Sequence, residues 1–134
     1  MAKTYEQIIK EQRAWFSAVR KTYCPLLNED IHFTSKGFRH IMYDGLGHAR
    51  SRKERMYRLG LFPLLIPVIK NAKEIVEYKT KLSNKLGKNI EYWKLRNTVG
   101  KQNTEVTVIL RKIGTGKIHF YSIWKKKDKH NHNN

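Results

Sequence analysis

Cysteine is nearly absent: Cys24 is the one cysteine in 134 residues, so no internal disulfide can form and a reducing compartment suits the chain. A lone thiol with no companion motif reads as a buried structural group before it reads as a nucleophile. Long apolar runs are missing too. The longest, Leu59 to Ile69, is broken by Gly60, Pro63 and Pro67 and is too short to span a bilayer. Near the start, Glu6, Lys10, Glu11 and Arg13 interrupt any stretch resembling a signal peptide, so a cytoplasmic protein is expected. The sequence contains no HExxH, no cysteine cluster and no GxxxxGK[ST], and its acids are scattered. No metal or other cofactor is therefore expected. His130 and His132 can bind a metal only casually.

Acidic residues are scarce as well, with 11 Asp and Glu against 28 Lys and Arg, a formal charge of +17. Self-repulsion on that scale disfavours a compact state, and a polyanionic partner is the usual reason to carry it. The cations run through the whole chain. Lys36 and Arg39 precede a dense segment of Arg50, Arg52, Lys53, Arg55 and Arg58, and Lys112 follows late. Such a surface reads as a phosphate-neutralising footprint for RNA. These eight residues are the expected RNA contacts, the segment from Arg50 to Arg58 positioning phosphates without reading sequence.

Three Trp, seven Tyr and five Phe, with 40% apolar residues, allow one modest core. Thr4 and Gln7 have capping-box spacing, and Ile8, Ile9, Trp15, Phe16, Val19 and Tyr23 recur at helical intervals, which predicts a first helix running until Pro25. Ile31 to Phe33 reads as a short strand. Ser35 is placed to cap a second helix, and Phe38, Ile41 and Met42 point inward from it. Residues 45–50 form a loop, Ser51 caps a third helix, and a fourth is expected over Leu64 to Asn71. From Glu74 the period shifts towards 2, and Glu74–Leu82, Lys88–Arg96, Thr104–Ile113 and Lys117–Trp124 read as four strands. The expected fold is α+β, with N-terminal helices packed on one face of a four-stranded antiparallel β-sheet. In domain terms, residues 1–30 are a helical extension and 31–125 the α+β domain. Residues 126–134 form a basic, polar tail expected to be disordered.

The turn Ile113-Gly114-Thr115-Gly116-Lys117 suits a three-residue hairpin loop in which Gly116 takes the left-handed conformation. That register pairs Arg111 with His119 and Ile109 with Tyr121. It sends Val106, Val108, Leu110, Ile118, Phe120 and Trp124 to the core, with Ser122 at the edge of that face. Thr107, Ile109, Arg111, His119, Tyr121 and Ile123 fall on the opposite face, His119 exposed there. A cation, an imidazole and a phenol are thus brought together. Metal-free cleavage of RNA needs a base for the 2′-hydroxyl, an acid for the leaving oxygen and a cation for the charge on phosphorus. His119 and Arg111 supply two such parts, and His40, just after Arg39, is the best candidate for a third, with His32 and His48 in the flanking segments also able to approach.

Three segments carry a resemblance to a known group: Phe33-Thr34-Ser35-Lys36-Gly37-Phe38-Arg39-His40, the basic run Ser51 to Gly60, and the ending Val108 to Ile113 with Lys117 to Ile123. Together they resemble the phage-encoded branch of the barnase–EndoU–colicin–RelE nuclease superfamily, over roughly residues 31–125. The resemblance implies a helix-then-sheet domain and a metal-independent endoribonuclease cleaving by acid–base transesterification, acting as a toxin or as a phage or mobile-element effector. It implies catalytic roles for His40, Arg111, His119 and Ser122, with Tyr121 beside them. RNA, with tRNA and rRNA as candidates, is then the partner, and an acidic antitoxin or immunity protein a neutralising one. The competing expectation is a non-catalytic RNA- or DNA-binding module, with Tyr92, Trp93, Tyr121 and Trp124 as stacking platforms. A third is a domain whose basic face meets an acidic protein.

Overall fold

The computed structural model describes residues 2–44, 46–101 and 103–126. The expected tail from 127 onward, with His130 and His132, and one glycine of the expected 45–50 loop lie outside those residues.

Helix α1 (Tyr5–Val19) opens with the capping box foreseen: Thr4 Oγ1 accepts from the Gln7 backbone, and the Gln7 side chain accepts from the Thr4 backbone. The helix stops earlier than its apolar spacing predicts. Arg20 turns left-handed at φ 62, and β1 (Lys21–Cys24) and β2 (Glu29–His32) form an antiparallel hairpin. Thr22 and Cys24 alternate inward while Tyr23, counted as part of the helical stripe, is 47% exposed. Burial holds the Cys24 thiol above its ordinary pKa.

Helix α2 (Ser35–Met42) follows with Thr34, not Ser35, at its N-cap. Helices α3 (Arg52–Gly60) and α4 (Phe62–Asn71) come next. Ser51 caps α3 by accepting from the Glu54 backbone. α4 begins two residues before the expected start and carries Pro67 inside it. Strands β3 (Ile75–Ser83), β4 (Lys88–Val99), β5 (Thr104–Ile113) and β6 (His119–Lys125) form the expected antiparallel meander.

The fold is α+β, but the sheet has six strands instead of four, in the order β1-β2-β6-β5-β4-β3. It is mixed, because β2 lies parallel to β6 through the pair His32–His119. The core joins helix and sheet in one cluster. Phe16, Phe33, Phe38, Phe62 and Phe120 pack with ring centroids 5.3–6.2 Å apart over Val106, Val108 and Leu110. Edge-to-face and tilted aromatic packing of this kind adds to area burial. Among the described residues no helix is long and apolar enough to cross a membrane.

The last hairpin departs from its predicted register in two places. Gly114, not Gly116, holds the positive φ of 57. Arg111 does pair with His119 and Leu110 with Phe120, but a bulge follows, and Ile109 then faces Ser122 instead of Tyr121. A bulge moves every later residue to the other face. Ile123 therefore enters the core, fully buried, while Trp124 leaves it to stand opposite Thr107.

Candidate active site

Helix α2 buries Gly37, Phe38, Ile41 and Met42, so its remaining positions, Ser35, Lys36, Arg39 and His40, stay at the surface, the last three along the cleft beside β6. The bulge puts Tyr121 in reach of that helix. The His40 ring stacks on Tyr121 with centroids 4.0 Å apart and planes 21° from parallel. Arg111 packs over the same phenol at 4.3 Å and donates from Nε to His119 Nε2 at 3.1 Å. A contiguous line thus runs His40, Tyr121, Arg111, His119.

Electrostatics sets the protonation of each member. Burial, and then the guanidiniums of Arg50, Arg58 and Arg111, lowers the His40 pKa to about 4 against a small opposing pull from Asp44. Burial and Arg111 bring His119 to about 4 as well, although a hydrogen bond to the Lys117 carbonyl favours its charged form. With Nε2 accepting from Arg111 and the other ring nitrogen directed at Lys117, His119 is held as one neutral tautomer. Burial raises the Tyr121 pKa while Arg111 draws it down. At neutral pH the line therefore holds two neutral imidazoles, a neutral phenol and one guanidinium.

His119 is 7% exposed, not the open strand position its register suggests, so its titration bears on stability. The native ring stays neutral down to about pH 4 while the unfolded ring gains a proton below its ordinary value of 6.5. Its contribution is thus complete above pH 6.5 and lost as pH falls towards 4, roughly 3 kcal/mol in all. Urea midpoints at pH 7 and 4.5 should show that loss in the parent, and a smaller one in His119→Asn. Equal losses would show that this ring does not titrate with unfolding.

Three clefts meet along the line. Lys36, Arg39, His40, Arg111 and Tyr121 border one of about 280 Å³, together with Tyr43 and Asp44. Lys36 also borders the second, of about 590 Å³, with His32, Lys88, Lys117 and His119. Tyr121 also borders the third, of about 560 Å³, with Tyr92, Lys94, Ile109 and Trp124.

Other residues expected at the site lie elsewhere or serve the fold. Ser122 is buried and its Oγ accepts from Arg58 Nη1 at 2.8 Å. Arg58 also binds Glu54 and the Ile123 carbonyl, and its side chain is only 14% exposed. Arg55 donates to the Met42 carbonyl and the Tyr5 hydroxyl, and Arg50 to the His40 carbonyl. Those three arginines fasten α3 and the loop before it to α2, α1 and β6. Arg52, over the Tyr5 ring, and Lys53 remain exposed. Lys112 pairs with Glu91 on the core side of the sheet, away from the line.

No protein family, no curated protein and no solved structure matches this chain. The resemblance to the nuclease superfamily accordingly rests on the three sequence segments alone. Among the described residues no three His, Cys, Asp or Glu side chains gather as metal ligands would. Sequence reasoning missed Lys88 and Lys117 as neighbours of His119, and offered His32 only as a histidine able to approach from a flanking segment. The parallel pairing of β2 with β6 brings His32 there, and no local pattern announces a parallel bridge.

Proposed function

We propose that this chain is a metal-independent endoribonuclease of the kind used by toxins and mobile-element effectors. The observation that carries this reading is the convergence of Lys36, Arg39, His40, Arg111 and Tyr121 on one open cleft. A scissile phosphodiester there meets three cations. His40, neutral at working pH, takes the proton from the 2′-hydroxyl as it attacks phosphorus. The 2′-oxygen–phosphorus bond forms, the bond to the 5′-oxygen breaks, and the products are a 2′,3′-cyclic phosphate and a 5′-hydroxyl end. Arg111 stabilises the charge that builds on the phosphoryl oxygens.

Assignment of the acid follows from magnitudes. With a pKa of about 4, His119 holds a proton at pH 7 in roughly one molecule in a thousand. Its Nε2 is also occupied by Arg111. Tyr121 keeps its proton, and it borders the same cleft as His40, its ring stacked on that imidazole. Tyr121 is therefore the proton donor, and His119 a positioning residue that aims Arg111.

Labelled RNA incubated with the purified chain should be cut equally with and without a chelator, leaving cyclic phosphate ends. RNA held but left intact identifies a binding module instead, and RNA ignored points to an acidic protein partner.

A further inference from the structure

The third cleft adjoins the chemistry through Tyr121 and has a composition of its own. On the sheet face away from the core, Tyr92 stands opposite Arg111, Lys94 opposite Ile109 and Trp124 opposite Thr107. Tyr121 closes one end, with its ring 5.9 Å from Tyr92 at 70°. Lys79 and Lys81 of β3 border the other side. Lys94 is paired with Glu77 at 3.3 Å, whereas among the described residues Lys79 and Lys81 make no ion pair. Lys79 lies 5.9 Å from the Tyr92 centroid, and Lys94 lies 5.9 Å from that of Trp124. Three aromatic rings thus stand within a basic rim, in a cleft whose volume of about 560 Å³ can admit a planar group.

A core explanation fails for Trp124. The bulge in β6 expels it from the inner face, where Ile123 takes the buried place. Trp93, one residue from Tyr92, shows the contrast, since it packs against the core. Aromatic faces beside unpaired lysines are how proteins hold single strands: bases stack and the backbone follows the charge. A duplex cannot use the rings, because its bases are already stacked.

We propose that the Tyr92–Trp124 cleft is a stacking subsite for an unpaired base flanking the cut, so that the preferred substrate is single-stranded RNA. The inference rests on the ribonuclease reading and gives it a substrate class. The four steps along β5 from Thr107, beside Trp124, to Arg111 span about 13 Å, so the stacked base belongs to a neighbouring nucleotide.

The test uses short labelled RNA with methylated 2′-oxygens, which cannot be cut, as a single strand and as a duplex. Trp124→Leu should weaken single-strand binding about 5- to 150-fold, the equivalent of one stacked base, and leave duplex binding unchanged. Trp124→Tyr should restore most of the affinity. Tyr92→Leu provides a second measurement if Trp124→Leu melts early. Unchanged single-strand affinity in a folded variant overturns the proposal, and so does an equal loss for strand and duplex. Cleavage of unmethylated RNA is scored separately. Intact RNA with Trp124-dependent binding sinks the nuclease and keeps the subsite. Cleavage with an unaltered KM in Trp124→Leu does the reverse.

Discussion

His40→Ala should lower kcat/KM for RNA cleavage by on the order of 10²–10⁴-fold, the usual worth of a positioned proton-transfer group. The melting temperature should change little, because the ring is partly exposed and its main contact is one face of Tyr121. The pH profile makes the assignment specific. A base works when neutral, and His40 in the free protein stays neutral down to about pH 4. The acid limb of kcat/KM, which reports the free enzyme, should therefore fall near 4 and not near 6.5. Arg50 is the charge that depresses this ring most, so Arg50→Gln should move the limb upward. Single-turnover rates from pH 4 to 8 on the parent and both variants decide the matter. A limb at 6.5 in the parent, or full activity in His40→Ala, would remove His40 from the mechanism.

The parts of this molecule that were legible in its sequence are those governed by local chemistry. The Thr4–Gln7 capping box, the Ser51 cap and the four C-terminal strands follow from spacing and cap residues, and the structure has them. Arg111 beside His119 was legible because the short turn between Ile113 and Lys117 sets which residues of its flanking strands stand opposite each other, and that pair is present. Non-local contacts were not legible. Tyr23 fits a helical stripe as well as any residue before it, and only pairing with β2 makes Lys21–Cys24 a strand. The bulge at Tyr121 has no glycine or other signal in His-Phe-Tyr-Ser-Ile-Trp, yet it exchanges the fates of Ile123 and Trp124 and presents Tyr121 to His40. Charge does not announce internal bonds either. Arg50, Arg55 and Arg58 belong to the densest basic run, which reads as a phosphate-binding surface. Each also binds a backbone carbonyl elsewhere in the fold, since guanidinium groups serve as internal hydrogen-bond donors as readily as phosphate ligands.

Gly37→Ala should cost both stability and activity, although alanine is the better helix former. The intrinsic preference favours the substitution by about 1 kcal/mol in a helix interior. Space opposes it. A Cβ on Gly37 would sit 2.5 Å from the Phe120 carbonyl oxygen, 3.2 Å from Phe120 Cδ2 and 3.4 Å from Phe16 Cζ. The nearest of these is backbone in β6, so no side-chain rotation relieves the contact and α2 must move away from the sheet. Overpacking of this kind costs about 1–3 kcal/mol and more where backbone must shift. The clash should win, with a fall in melting temperature of roughly 5–10 °C for a domain of this size. The same displacement carries His40 off the Tyr121 ring, and a 1 Å misplacement of a catalytic group can cost about 10² in rate. Melting curves and single-turnover cleavage measured on one preparation test both halves. A variant that melts at or above the parent would show that α2 does not rest on β6 through this glycine. A variant that melts lower but cuts RNA at the parental rate would uncouple the seating of α2 from the placement of His40.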